Sequence, residues 1–170
     1  MLANTAVEII HPIPHLDFTC HNATLYWLYQ ETFNKPPTID QYTAPNGVFY
    51  PITPKMSSLL LLGTPLTKPY FLKLSLKPGS IIIFAKNNDA GHSCVAKSES
   101  KIVGYNQLSW FKENGKTNSF TTHDVEEIRW NTGKGDRNNV MVGEHYPQPY
   151  KLVTIKESTA KEWLTKLAKK

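Results

Sequence analysis

The sequence lacks the features of a fibrous, disordered or membrane-spanning chain. Charged residues make up 19% and hydrophobic residues 40% of its 170 residues, a balance that excludes intrinsic disorder. Its 9 glycines follow no collagen-like repeat. The longest apolar runs, residues 59–62 and 81–85, are far shorter than the roughly 20 residues that cross a bilayer. We therefore expect no membrane insertion, and a single domain over residues 1–170 that is long enough to bury a core.

The first residues do not have the pattern of a conventional signal peptide. They contain no basic segment, and Pro12 and Pro14 punctuate the stretch before residue 17. Residues 1–16 are therefore predicted to form an extended arm. If the protein is exported, we expect a route without a cleavable signal, with the protein cytoplasmic before export.

Cysteine is scarce, which narrows the chemistry. Cys20 and Cys94 are the two cysteines, too few for a disulfide framework and not spaced for a zinc site. His11 and His15 have i, i+4 spacing, but the intervening prolines prevent the helix that would pair them on a metal. The sequence thus predicts neither a metal nor a cofactor, and a reduced cysteine pair with separate roles.

The charge is mildly basic, at +5 with a pI near 9.1. Part of the excess positive charge lies in C-terminal lysines, which are expected to form a solvated helix face. The sequence contains no dense basic stripe interleaved with aromatic residues. The pattern excludes a nucleic-acid binder. It is compatible with an anionic polymer such as a cell wall.

The order of predicted elements indicates an α+β fold. A helix from about residue 20 to 33 is followed by strands at 80–85, 92–97 and 101–105 and by further strand candidates that include 126–130. An amphipathic helix over residues 157–170 closes the chain. The predicted architecture is a Cys-bearing N-terminal helix packed on an antiparallel β-sheet.

Two residues suit nucleophilic catalysis. Cys20 lies in the first turn of its helix, where unpaired N–H groups and the macrodipole lower a thiol pKa. His92, after Gly91, is expected to open a strand and to act as base toward the thiol. The alternative is that Cys20 is a small buried hydrophobe and that His92 is a turn residue. The other five histidines are expected at the surface or in turns.

A third residue would orient the imidazole. Asn106 and Gln107 both end the next strand, and strand alternation lets only one of them point inward. The parity across the turn stays open, with Asn106 preferred. Asp136, in a loop rich in glycine and asparagine, is a reserve candidate for this position. Trp110 could shield the bond between the histidine and its amide partner.

The order of these motifs resembles the papain-like cysteine hydrolases, closest to the CHAP and NlpC branches and to small bacterial amidase effectors of type VI secretion. The resemblance covers roughly residues 17 to 110 and is carried by Cys20 and by segments 78–84, 91–96 and 104–106. It implies a papain-like fold with a Cys-His-Asn type triad. No glutamine precedes Cys20 to stabilise an oxyanion, so backbone N–H groups at the helix start, or His15, would do so.

The resemblance implies a toxin or effector that hydrolyses amide bonds, most directly in peptidoglycan peptides. One alternative is a papain-like toxin that deamidates Gln or Asn, or cleaves a peptide bond, in a target-cell protein. A second alternative is a non-catalytic binding or immunity module. For the effector we expect a monomer, with a cognate immunity protein as partner.

Overall fold

Helices and one antiparallel sheet make up the chain in the computed structural model, which describes residues 19–107, 110–112, 120–131, 139–141 and 149–169. The helices in these ranges are α1 (Cys20–Phe33), α2 (Ile39–Thr43), α3 (Ile52–Leu60), α4 (Lys68–Lys73) and α5 (Glu157–Ala168). The strands are β1 (Thr64–Leu66), β2 (Ile81–Lys86), β3 (Asp89–Ala96), β4 (Lys101–Tyr105), β5 (Phe120–Asp124), β6 (Val140–Met141) and β7 (Pro149–Ile155). The α+β class predicted from the sequence is confirmed.

The sheet has the strand order β1-β7-β2-β3-β4-β5, and β6 pairs with β7. Every pairing is antiparallel. A two-residue turn joins β2 to β3, and its residues Asn87 and Asn88 have φ angles of 52° and 66°. Positive φ at both positions gives the twist that a tight hairpin needs. Because the turn is so short, β3 begins three residues before His92, which is therefore inside the strand and not at its start.

Both faces of the sheet are covered by a hydrophobic core. Side chains alternate along β2, so successive residues point into one core and then the other. Ile81 and Ile83 face a core that also contains residues of α1, α3 and α5. Ile82 and Phe84 face the opposite core, which contains Trp110 among its aromatic residues. We call these the helix face and the aromatic face. The run 81–85 is buried throughout, as its β-branched composition predicts.

Helix α1 occupies the predicted range because its signals are local. Thr19 is the N-cap: its side chain accepts a hydrogen bond from the Asn22 backbone N–H, and Asn22 Oδ1 accepts one from the Thr19 N–H at 2.7 Å. This reciprocal pair is a capping box. The helix ends at Asn34, whose φ of 57° is the left-handed conformation common at helix C-termini.

The segment before Trp130 differs from the prediction. The strand lies at Phe120–Asp124, and a 3₁₀ turn follows at Val125–Glu127, where the sequence predicts strand 126–130. The Asp124 backbone N–H donates to the Glu127 carboxylate at 3.2 Å, and this capping bond turns the chain out of the strand. The predicted C-terminal helix is confirmed as α5 over the described residues. None of the helices described is long and apolar enough to cross a membrane.

Candidate active site

Cys20 is the first residue of α1, and its half-buried side chain lies against strand β3. The capping box engages the backbone N–H groups of Thr19 and Asn22. The N–H groups of Cys20 and His21 have no acceptor within the helix, as at every helix start. The backbone groups of Cys20, His21 and Ser93 act to lower the pKa of the Cys20 thiol. The start of the helix thus places polar backbone near the sulfur.

Burial nevertheless raises the pKa of the Cys20 thiol above its usual value, because desolvation outweighs the three backbone hydrogen bonds that lower it. The expectation that the helix N-terminus would lower this pKa is therefore wrong for the free protein. The position of the helix is as predicted, but the environment of the sulfur is drier than an exposed helix end. At neutral pH Cys20 is a thiol in this state.

The edge of β3 that faces β4 is unpaired next to Cys20. Strands β3 and β4 pair only at Val95↔Val103 and Ala96↔Ile102, so the ladder ends before Ser93. The backbone of Ser93 is then available to the Cys20 sulfur. An unpaired strand edge exposes N–H groups that need partners, and here the start of α1 supplies one.

His92 lies on the aromatic face of β3, one residue from this opening. It is 2% exposed, and its ring stacks on Phe84 at 5.7 Å and on Trp110 at 5.4 Å between centroids. His92 Nε2 lies 2.6 Å from Gln107 Oε1. Because the amide oxygen only accepts, Nε2 carries the proton and Nδ1 is left as a bare nitrogen. The expected shielding of this bond by Trp110 agrees with the stacking.

The amide that meets His92 is Gln107, and the preference for Asn106 is corrected on this point. Asn106 has a φ of 56°, and this left-handed residue reverses the chain after β4. Gln107 then lies over Gly104, where a Cβ would be 2.9 Å from the amide carbon Cδ. Only glycine leaves room for the amide at this position. This turn decides that Gln107, and not Asn106, points inward toward His92.

Burial lowers the pKa of His92 to about 3, although the hydrogen bond to Gln107 acts in the opposite direction. Positive charge on His21 or His123 would lower it further. His92 is therefore neutral at physiological pH. A neutral imidazole with a bare nitrogen is the form that can accept a thiol proton.

Cys20 and His92 reach neighbouring points of β3 from different sides. Helix α1 packs on the helix face, where Ser93 bonds Thr24, while the His92 ring lies in the aromatic core. Among the described residues, the imidazole within hydrogen-bond range of the sulfur is His21, with 3.7 Å between Cys20 Sγ and His21 Nδ1. The structure brings Gln107 to His92 but does not bring the Cys20 thiol to the His92 ring, so the expected contact between Cys20 and His92 is not formed in this state.

The expectation that the remaining histidines are at the surface is wrong for two of them. His21 and His123 are each 6% exposed. The burial of His21 has a signal in the sequence, because residues 21, 24, 25 and 28 follow the i, i+3, i+4, i+7 series of one helix face. His15 and Asp136, the reserve candidates, lie outside the described residues.

No group of three or more His, Cys, Asp or Glu side chains within the described ranges is placed to hold a metal ion. Comparison with models of protein families, with curated proteins and with solved structures finds no match for this chain. Its function has to be argued from the site itself.

Proposed function

We propose that the protein is a cysteine hydrolase of amide bonds with Cys20 as nucleophile, His92 as base and Gln107 as the residue that orients His92. The observation that carries the proposal is the 2.6 Å bond between His92 Nε2 and Gln107 Oε1. It fixes the tautomer with Nδ1 bare, at the point of the sheet where the Cys20 sulfur contacts the next residue. An imidazole oriented by an amide and a cysteine at a helix start are two components that thiol hydrolases use, and the proposal requires the thiol to reach the His92 ring.

A papain-like fold is part of the same proposal. Its support is the order of the elements: a helix with the cysteine at its start, then an antiparallel sheet with the histidine and its amide partner on successive strand regions. The resemblance to the CHAP and NlpC branches concerns this order.

In the free protein the thiol and the His92 ring lie on opposite faces of β3, so the reaction requires substrate binding to rearrange the start of α1 against β3 and bring the two together. The S–H proton moves to His92 Nδ1, and the thiolate attacks the amide carbonyl carbon. The N–H groups of Cys20 and His21 at the start of α1 stabilise the oxyanion. The C–N bond breaks as the proton on Nδ1 passes to the leaving amine. Water then hydrolyses the thioester and regenerates the thiol. A neutral thiol and a neutral imidazole are the resting forms of this cycle.

For the substrate we propose the peptides of bacterial peptidoglycan. The net charge of +5 favours association with an anionic cell-wall polymer. Delivery to a target cell as an effector, and a cognate immunity protein in the producing cell, belong to the same hypothesis. Deamidation or cleavage of a target-cell protein is the alternative outcome of the substrate screen.

The proposal is tested by incubating the purified protein with muropeptides and measuring released products by mass spectrometry. Cys20→Ala should abolish turnover, and His92→Ala should lower it by about 10²- to 10⁴-fold, the usual contribution of a general base. Cys94→Ser is the matched cysteine control, because Cys94 is fully buried in the aromatic core; it should retain activity wherever it folds. Turnover that survives Cys20→Ala would exclude the thiol mechanism.

If muropeptides are not cleaved, the same variants are assayed for ammonia release from glutamine-containing proteins. A protein that hydrolyses neither class, while Cys20 reacts with iodoacetamide no faster than a denatured cysteine, is the non-catalytic binding module instead.

A further inference from the structure

A second imidazole lies next to the Cys20 thiol. His21 is 6% exposed and points from the second position of α1 into the sheet. Its Nδ1 is 3.7 Å from Cys20 Sγ, and its Nε2 is 3.0 Å from the carbonyl oxygen of Ala90. In the proposed reaction His21 contributes only its backbone N–H, so its side chain has no assigned role.

The Ala90 carbonyl determines which nitrogen of His21 carries the proton. A carbonyl oxygen only accepts hydrogen bonds, so Nε2 must be the N–H donor and Nδ1 must be bare. The bare Nδ1 faces two donors, the Cys20 thiol and the hydroxyl of Ser93, whose Oγ is 2.8 Å away. One lone pair is therefore shared between a thiol and a hydroxyl.

The Ser93 hydroxyl has alternative acceptors. Its single proton can go to His21 Nδ1, to Thr24 Oγ1 at 2.9 Å or, more weakly, to the Cys20 carbonyl oxygen at 3.5 Å. When Ser93 donates to Thr24, Nδ1 is left to the thiol. When Ser93 donates to Nδ1, the thiol loses its acceptor. The two hydroxyls therefore govern the contact between His21 and Cys20.

We propose that His21 is a positioning residue that holds the Cys20 thiol in its protonated form at the open edge of β3, turned away from His92, until substrate enters. The inference rests on the proposed role of Cys20 as nucleophile. An acceptor for S–H stabilises the thiol over the thiolate, because a bare nitrogen lone pair attracts the proton and repels the anion. The contact thus protects the nucleophile in the free enzyme. Transfer to His92 begins when the S–H bond to Nδ1 is exchanged for one to the His92 ring.

Other titratable groups near the pair keep their charge in the range tested. His92 and Cys94 on β3 interact electrostatically with His21 and Cys20 respectively, and Tyr42 on α2 donates to the Asn22 carbonyl beside them. His92 is neutral because its pKa is about 3. Burial raises the pKa of both Cys94 and Tyr42 well above their usual values. Because burial raises the pKa of Cys20 and lowers that of His21, the thiol ionises at alkaline pH, where both histidines are neutral.

The test is the pH dependence of Cys20 alkylation by iodoacetamide, followed by mass spectrometry with buried Cys94 as the internal reference. The midpoint of the rate against pH reports the thiolate fraction and not access to the sulfur. His21→Leu keeps a bulky side chain but removes the acceptor, and should lower the midpoint by about 0.5 to 1 pH unit, the size of one hydrogen bond. Ser93→Ala frees Nδ1 for the thiol and should raise it.

Two further variants separate this role from a merely structural one. His21→Asn places an amide oxygen near the position of Nδ1 and should restore the wild-type midpoint. His123→Asn alters another buried histidine, which lies on β5 and bonds Glu127 and Thr121, and should leave the midpoint unchanged. Opposite shifts in His21→Leu and Ser93→Ala cannot come from general loosening of the fold. An unchanged or raised midpoint in His21→Leu overturns the proposal.

The outcome is independent of the hydrolase assay. Alkylation needs no turnover, so shifted midpoints without cleavage of any amide would keep the His21 contact and reject the proposed function. Cleavage that depends on His92, with alkylation midpoints that do not respond to substitution of His21 or Ser93, would keep the proposed function and reject the role of His21.

Discussion

At the scale of single residues, the partners of His92 decide what it can do. The imidazole lies between the rings of Phe84 and Trp110, and its polar partner is the Gln107 oxygen. An aromatic environment disfavours the imidazolium, while the amide fixes the tautomer without adding charge. Gln107 Nε2 has no hydrogen-bond partner among the residues that the structure describes, an arrangement that is unfavourable in a core. The position of the amide thus satisfies the His92 ring while the amide's own N–H groups stay unsatisfied.

Replacing this amide by a carboxylate should change the ionisation of His92. Gln107→Glu keeps the oxygen that accepts from Nε2–H and adds negative charge, which favours the imidazolium. We expect the pKa of His92 to rise from about 3 by at least about one unit. The measurement is a titration of the His92 ring protons by NMR. Gln107→Met, of similar length and uncharged, is the control and should give no rise; an equal pKa in both variants would refute the partnership.

At the scale of elements, prediction from the sequence succeeded where the signals were local. The range of α1 follows from Thr19 as cap and from apolar residues at helical spacing, and β4 has its predicted bounds of Lys101–Tyr105. The orienting amide was not predicted, because its position depends on the left-handed turn at Asn106 and on the space over Gly104. Both are set by tertiary contacts. The thiol pKa was mispredicted for the same reason, since burial is not visible in the helix alone.

The cap of α1 should stabilise both the helix and the site. Thr19→Ala removes the side chain that accepts from the Asn22 N–H and should reduce the free energy of unfolding by about 1 kcal/mol. Fraying of the first turn would also move the Cys20 and His21 N–H groups, so the alkylation midpoint of Cys20 should change. Urea denaturation and the alkylation assay check the two effects.

Thr32→Ala is the matched control for this prediction. Thr32 lies in the last turn of the same helix and donates to the Leu28 carbonyl, a bond that contributes little to helix stability. Its removal should leave both measurements nearly unchanged. Equal destabilisation by the two variants would show that the capping box has no special role.

At the scale of the whole molecule, the class was predictable and part of the topology was not. Helices and β-branched strands have distinct periods, so α+β followed from residue order. The core strand at 81–85 was identified from composition. The 3₁₀ turn at Val125–Glu127 was not, because it depends on capping contacts between Asp124 and Glu127, in which the Glu127 carboxylate accepts from the Asp124 N–H. The polar residues of the site lie on both faces of β3, a central strand of the sheet. The site is therefore built into the hydrophobic core.

That placement links the site to the stability of the whole fold through pH. In the unfolded chain His92 titrates near its ordinary value of about 6.5, while in the fold its pKa is about 3. Between these values the unfolded state binds more protons, so stability rises with pH; the contribution is complete above about pH 6.5 and is lost as pH falls toward 3. Fully lost, this contribution amounts to about 5 kcal/mol, from the difference between 6.5 and about 3 at about 1.36 kcal/mol per pKa unit. Burial also lowers the pKa of His21, which adds to the same acid sensitivity.

The measurement is the free energy of unfolding in urea at pH 7.5, 6, 5 and 4. Wild type should lose stability steeply below pH 6. His92→Gln, which cannot be protonated but keeps a hydrogen-bonding side chain beside Gln107, should be less stable at pH 7.5 yet show a shallower slope on acidification. Since His21 still titrates in this variant, some slope should persist, and combining it with His21→Asn should flatten the profile further. A slope in His92→Gln equal to that of wild type would mean that His92 is not held neutral in the core.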